Sequence, residues 1–159
     1  MYNIIVVSPI EIFIFTKVAS TFTLVLCLLF IFFFLIKIKE NYKAISLLVS
    51  SFILFATVIV AKEYFKVARP TNSLIEVSGY AFPSGHAAGI VFLATIVSFL
   101  SWRLSSYYRY AVLTACIITV GVVAYSRIAL HVHTWFQVLT GIGFGLLSGL
   151  LFIYLCTRR

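Results

Sequence analysis

Long apolar runs separated by short polar breaks recur along this 159-residue chain. A helix needs about 20 apolar residues to cross a bilayer. The pattern predicts five such helices, at about Val18–Ile36, Ala44–Ala61, Ala87–Trp102, Tyr110–Tyr125 and Val138–Cys156. Residues 1–17 read either as a short interfacial helix or as an extension of the first span, since Ile10–Phe15 is apolar apart from Glu11. The expected fold is therefore an all-α integral membrane protein, a bundle of about five transmembrane helices, or six with the N-terminal segment. No internal repeat or low-complexity linker divides it, so residues 1–159 read as one membrane-embedded domain. Trp102, Tyr107, Tyr108, Tyr110 and Tyr154 fall near predicted helix ends, where aromatic belts lie. Gly141, Gly145 and Gly149 recur every four residues and predict a smooth helix face for close packing.

Composition supports this reading. Hydrophobic residues make up 63% of the chain and charged residues 10%, with mean hydropathy +1.15. Soluble domains are about half apolar and about a quarter charged, so a soluble fold is excluded. Cys27, Cys116 and Cys156 are odd in number and all lie in apolar spans. They read as small lipid-phase side chains, not as a disulfide framework or metal cluster. The N-terminus lacks a basic n-region, and no removed targeting segment is expected.

The formal net charge of +8 arises from 12 Lys and Arg against four Glu, with no Asp. No basic stripe alternates with aromatics, so nucleic acid is not an expected partner. Lys37, Lys39 and Lys43, then Arg103 and Arg109, then Arg158 and Arg159 share one face of a five-span bundle. The positive-inside rule makes that face, and the C-terminus, cytoplasmic. The span composition suits a bacterial inner membrane. Yet the opposite face, formed by connections from Lys62 to Phe82 and from Arg127 to Phe136, carries Lys62, Lys66, Arg69 and Arg127. Cations on that side need another reason, and anion binding supplies one.

Three segments on this outer face carry candidate chemistry. Lys62, Lys66 and Arg69 stand at i, i+4 and i+7 and share a helix face if the second helix continues to Pro70. Pro83-Ser84-Gly85-His86 reads as a helix start, either an ordinary N-cap or an anion site with a proton donor in its first turn. Ser126-Arg127 precedes His131 and His133, and Gln137 lies one helical turn beyond His133, placed to touch its ring. Arginine gives bidentate contacts to phosphate oxygens. A metal site is not expected, because carboxylates at helpful spacing are missing and the nearby cations repel a metal.

Taken together, Lys62–six residues–Arg69-Pro70, Pro83-Ser84-Gly85-His86 and Ser126-Arg127–five residues–His133 resemble the three-part signature of the type-2 phosphatidic-acid phosphatase superfamily. That group includes bacterial membrane lipid phosphatases and is related to vanadium haloperoxidases. The motifs occupy residues 62–137, and the remaining spans agree in kind only. The resemblance implies a metal- and cofactor-independent hydrolysis of a phosphomonoester or diphosphate on a membrane lipid. His133 would be the nucleophile and form a phosphohistidine, and His86 would protonate the leaving oxygen. Lys62, Arg69, Ser84, Gly85 and Arg127 would hold the phosphoryl oxygens. Candidate substrates on the same footing are undecaprenyl diphosphate, phosphatidylglycerol phosphate, phosphatidic acid and lipid A phosphates.

One position departs from that signature. The family places an aspartate four residues after the nucleophile, where this chain has Gln137. Its amide carbonyl can orient His133 but brings no charge to the imidazolium that forms on attack. The alternative reading is therefore a catalytically impaired or inactivated member that binds phosphorylated lipid without turnover.

Overall fold

The computed structural model describes residues 21–158, and the reading of residues 1–17 lies outside this range. Five α-helices carry the described chain: α1 (Thr21–Lys37), α2 (Asn41–Phe65), α3 (Gly85–Leu100), α4 (Ser106–Ala129) and α5 (Trp135–Thr157). A single 3₁₀ turn, Ser101–Arg103, joins α3 to α4. Among the described residues there is no strand, and four helical stretches are long and apolar enough to cross a membrane. Helix α1 is apolar but shorter, 17 residues in its described part.

The helices outrun the apolar runs that predict them. Helix α2 has 25 residues, about 37 Å at 1.5 Å per residue, against a hydrocarbon core about 30 Å thick. The excess turns hold polar residues, because the backbone ladder continues wherever propensity allows. Lys62 and Arg127, expected in connections, are instead in the last turns of α2 and α4. A second correction concerns Arg69. Helix α2 stops at Phe65, and Lys66 is its left-handed cap, with φ 47° and its N–H on Lys62 O at 3.0 Å. Lys62, Lys66 and Arg69 thus share no helix face. Lys66 is exposed, and Arg69 arrives on irregular chain.

Helix α3 is the centre of the bundle. Phe92 and Ile96 pack with Leu35 of α1, Leu47 and Leu54 of α2, and Phe152 of α5. A smaller cluster joins Leu24, Ile90, Val91 and Val123. The glycine face of α5 lies on α3, as its spacing predicts. Helix α4 is the least covered span, with 17% of its apolar window buried. One end of the bundle is closed by charge: Glu40 accepts from Lys43 at 3.1 Å and from Arg103 at 3.0 Å. Hydrogen bonding from Lys43, followed by its charge and that of Arg103, holds the half-buried Glu40 carboxyl below its ordinary range. The opposite end carries all three motif segments.

Candidate active site

Helix α3 begins where the chain leaves a cis Phe82–Pro83 bond. Ser84 takes the N-cap position with extended backbone, yet its side chain makes no capping bond. Ser84 is fully buried, and its Oγ has no hydrogen-bond partner among the described residues. A buried hydroxyl is ordinarily satisfied, and an ordinary N-cap would use it on the backbone; the Ser84 hydroxyl makes no such capping bond. The first-turn N–H groups of α3, beginning at Gly85, lie beside it.

Position is imposed on this turn from two sides. Ser84 N–H donates to the main-chain oxygen of Gln137 at 3.0 Å, and Ala81 N–H donates to Val67 O at 2.8 Å. Phe82 stacks on Phe136 at 5.7 Å between centroids and meets Phe65 edge-on at 5.0 Å. The turn is thus clamped between the end of α2 and the start of α5.

His133 lies in the tight turn between α4 and α5 and is buried. Its N–H donates to Arg127 O at 3.3 Å, so a residue in the last turn of α4 also sets the backbone of His133. Thr134 then caps α5 in a reciprocal arrangement with Gln137. Gln137 Oε1 accepts from the Thr134 N–H at 3.1 Å and sits 3.1 Å from His133 Nδ1. A backbone N–H can only donate, so the atom it meets must be the amide oxygen. That oxygen requires a proton on His133 Nδ1. The lone pair is then on Nε2, 3.5 Å from Arg69 Nη1. The expected contact between Gln137 and His133 is present, and sequence reasoning missed that the same oxygen also caps the helix. The Thr134-x-x-Gln137 spacing is a capping-box signature and could have shown it.

The cations at this end of the bundle come from different elements, and Arg69 is the one in contact range of this nitrogen. The Arg69 guanidinium donates to Ser78 O (3.2 Å), Gly79 O (3.1 Å) and Val132 O (3.2 Å). Lys62 Nζ donates to Tyr80 O at 2.5 Å. Arg127 is buried, with its Nε donating to Ser126 Oγ at 3.1 Å. His86, half-buried in the first turn of α3, lies within electrostatic reach of Arg127, His133, Arg69 and Lys62. All eight residues singled out from sequence therefore gather at one end of the bundle, whereas His131 is exposed there. Burial, then the charges of Arg69 and Lys62, push the His133 imidazole down to about 4, against the raising effect of its bond to Gln137. Burial also lowers the Arg69 guanidinium.

A cavity of about 380 Å³ holds Lys62, Arg69, His86 and His133 at one end. Its other end is apolar, walled by Leu54, Phe55, Val58 and Ile59 of α2, Leu24 of α1 and Gly89 of α3. From Lys62 to Leu54 this wall descends eight residues, about 12 Å, comparable with one leaflet of hydrocarbon, about 15 Å. A polar cradle continuous with a greasy groove suits an amphiphile that carries an anionic group.

The PAP2 superfamily model matches residues 43–159. The chain belongs to the PAP2 superfamily. Its fold is similar to that of a transmembrane PAP2-type phosphatidylglycerolphosphate phosphatase from Bacillus subtilis, with TM-score 0.83 and 22% identity. That match covers 95% of this chain and 79% of the other. Among curated proteins none matches significantly. This PAP2 chain is thus a membrane-embedded helical bundle whose signature residues meet in one cradle.

Proposed function

We propose that this PAP2 protein is a lipid phosphatase that hydrolyses a phosphate ester or diphosphate of a membrane lipid through a phosphohistidine. The carrying observation is the tautomer of His133. Its Nδ1–H is held by Gln137 Oε1, so the Nε2 lone pair faces the cation cradle. In the reaction Nε2 attacks phosphorus, the N–P bond forms and the P–O ester bond breaks. The electron pair leaves with the lipid oxygen, which takes a proton from His86. Water then attacks the phosphohistidine, gives its proton to His86 and releases phosphate. Lys62, Arg69, Arg127, Ser84 Oγ and the Gly85 N–H stabilise the charge that builds on the phosphoryl oxygens. These cations supply the positive charge that a metal brings in other phosphatases.

The cradle belongs at the outer face of a bacterial inner membrane, with the C-terminus cytoplasmic. The clusters at Lys37, Lys39 and Lys43, and at Arg103 and Arg109, support this orientation from the opposite end. Phosphatidylglycerol phosphate is the first substrate to test, because the structurally similar protein carries that activity in its name. The apolar groove beside the cradle supports a lipid substrate over a soluble one.

The decisive experiment measures phosphate release from phosphatidylglycerol phosphate, phosphatidic acid, undecaprenyl diphosphate and lipid A, with a chelator present. Release by the parent and loss in His133→Ala is the expected result; release that persists in His133→Ala overturns the mechanism. A second reading, binding without turnover, is favoured by the neutral Gln137 in place of a carboxylate. It expects lipid-phosphate binding and no release even in Gln137→Asp, whereas release appearing in that variant marks an enzyme slowed by residue 137.

A further inference from the structure

The two halves of the cradle sit on two helices. Ser84, Gly85 and His86 start α3, while His133 and Gln137 lead into α5. Their separation is set by how closely α3 and α5 approach, and the glycine face of α5 controls that approach. A Cβ at Gly141 would collide with the main-chain oxygen of Ser84 and come within 3.2 Å of Ala87 Cβ. At Gly145 it would collide with the main-chain oxygen of Ala88. At Gly149 the nearest atoms it would meet belong to the Thr95 side chain, with Cγ2 at 2.6 Å. Gly143 has nothing within 4 Å, so the demand for a missing side chain belongs to one face.

These three positions are not equivalent. Gly149 lies eight residues, about 12 Å, farther from the cradle than Gly141. Gly141 alone presses on Ser84, the residue whose N–H is held by Gln137 O one turn earlier in α5. Ser84 also carries the fully buried hydroxyl that has no partner among the described residues. The peptide of Ser84 is therefore gripped by α5 at Gln137 and Gly141, and its Oγ is what remains for a ligand.

We infer that Gly141 is a positioning residue for phosphoryl transfer. Having no side chain, it lets α5 seat against Ser84 and fixes the spacing between the phosphate cradle and His133 Nε2. This rests on the lipid phosphatase reading above. A displacement of about 1 Å between reacting groups costs about 10²-fold in rate, and a methyl group at this contact forces a shift of that size.

The test compares purified full-length parent with Gly141→Ala, Gly149→Ala and Gly143→Ala. It reads kcat, KM, thermal unfolding and the rise in unfolding temperature with orthovanadate, a phosphate-shaped anion. The expected result is a kcat about 10²-fold lower and a lost vanadate shift in Gly141→Ala, while Gly143→Ala matches the parent and Gly149→Ala keeps its vanadate shift. A folded Gly141→Ala that is less stable but keeps parental kcat and vanadate shift has a merely structural glycine, which overturns the inference. Should Gly141→Ala not accumulate folded, Ala87→Ser presses on the same turn from α3 and is read by the same two criteria. A parent that binds vanadate without turnover defeats the enzymatic reading alone, and the vanadate arm still decides Gly141. A parent that neither turns over nor binds vanadate overturns both.

Discussion

Gln137 Oε1 is 3.1 Å from His133 Nδ1 and 3.1 Å from the Thr134 main-chain nitrogen, so one carbonyl oxygen both orients an imidazole and caps a helix. The helix cap fixes which end of the amide faces the ring, and the ring's tautomer follows. A carboxylate in this place would add charge to the same geometry. In the serine-protease triad, loss of the orienting carboxylate costs about four orders of magnitude in rate. Here the orientation is kept and only the charge is given up.

Gln137→Met keeps the length of the side chain and removes the acceptor. We expect kcat to fall about 10–100-fold, as when a group that orients a reactive histidine is lost, with about 1 kcal/mol of helix-cap stability lost as well. Gln137→Glu keeps both bonds and adds charge, and its kcat should exceed that of the parent. Steady-state kinetics and thermal melts check both, and a Met variant as fast as the parent would remove residue 137 from the mechanism.

The pH dependence follows from His133. Burial above all, then Arg69 and Lys62, lowers its folded value from 6.5 to about 4, and the nucleophile must be neutral. The acidic limb of kcat/KM that reports His133 should therefore lie near pH 4, not near 6.5. The same shift acts on stability. Between about pH 4 and 6.5 the unfolded chain binds a proton that the folded chain does not, so unfolding becomes easier as pH falls through this window. His133→Ala should flatten that part of the stability profile, and an unchanged slope in denaturant titrations would exclude this account.

Ser84→Ala separates binding from folding. The hydroxyl is buried without a partner among the described residues, so its removal should leave stability unchanged or raise it by about 1 kcal/mol. Losing one bond to a charged phosphoryl oxygen, about 1.5–3 kcal/mol, should lower kcat/KM about 10–100-fold. Parallel loss of stability and activity would instead mark Ser84 as structural.

Arg69→Lys tests the planar fork. One guanidinium bridges the carbonyls of Ser78, Gly79 and Val132, a span that a single ammonium cannot cover. We expect kcat/KM to fall about 10²-fold and limited proteolysis to speed up within residues 71–80. A variant with parental kinetics and an equally resistant loop would show that charge alone suffices at residue 69.

The membrane class and the five apolar helices were legible in the sequence because burial in lipid leaves a long, uninterrupted apolar run. So was the set of candidate residues, carried by three short motifs whose internal spacings survive in one dimension. The glycine face of α5 was equally plain, but not its target: nothing along the chain says that Gly141 meets Ser84. Whether the helix continued through Lys62, Lys66 and Arg69 was not legible, since a local periodicity cannot reveal that Lys66 turns left-handed and ends the helix. Spacing alone showed that Gln137 could reach His133. It could not show the tautomer, which depends on a backbone donor seated at the same oxygen.

By itself, then, the sequence determined the solvent this protein folds in and the chemical groups it holds, because hydropathy and residue identity are local properties. Tertiary structure alone decided that Ser84 Oγ finds no partner among the described residues, that Arg69 reaches His133 from irregular chain, and that α3 and α5 meet backbone to side-chain-free backbone. Those are distances between segments far apart in the chain, and they exist only once the helices have packed.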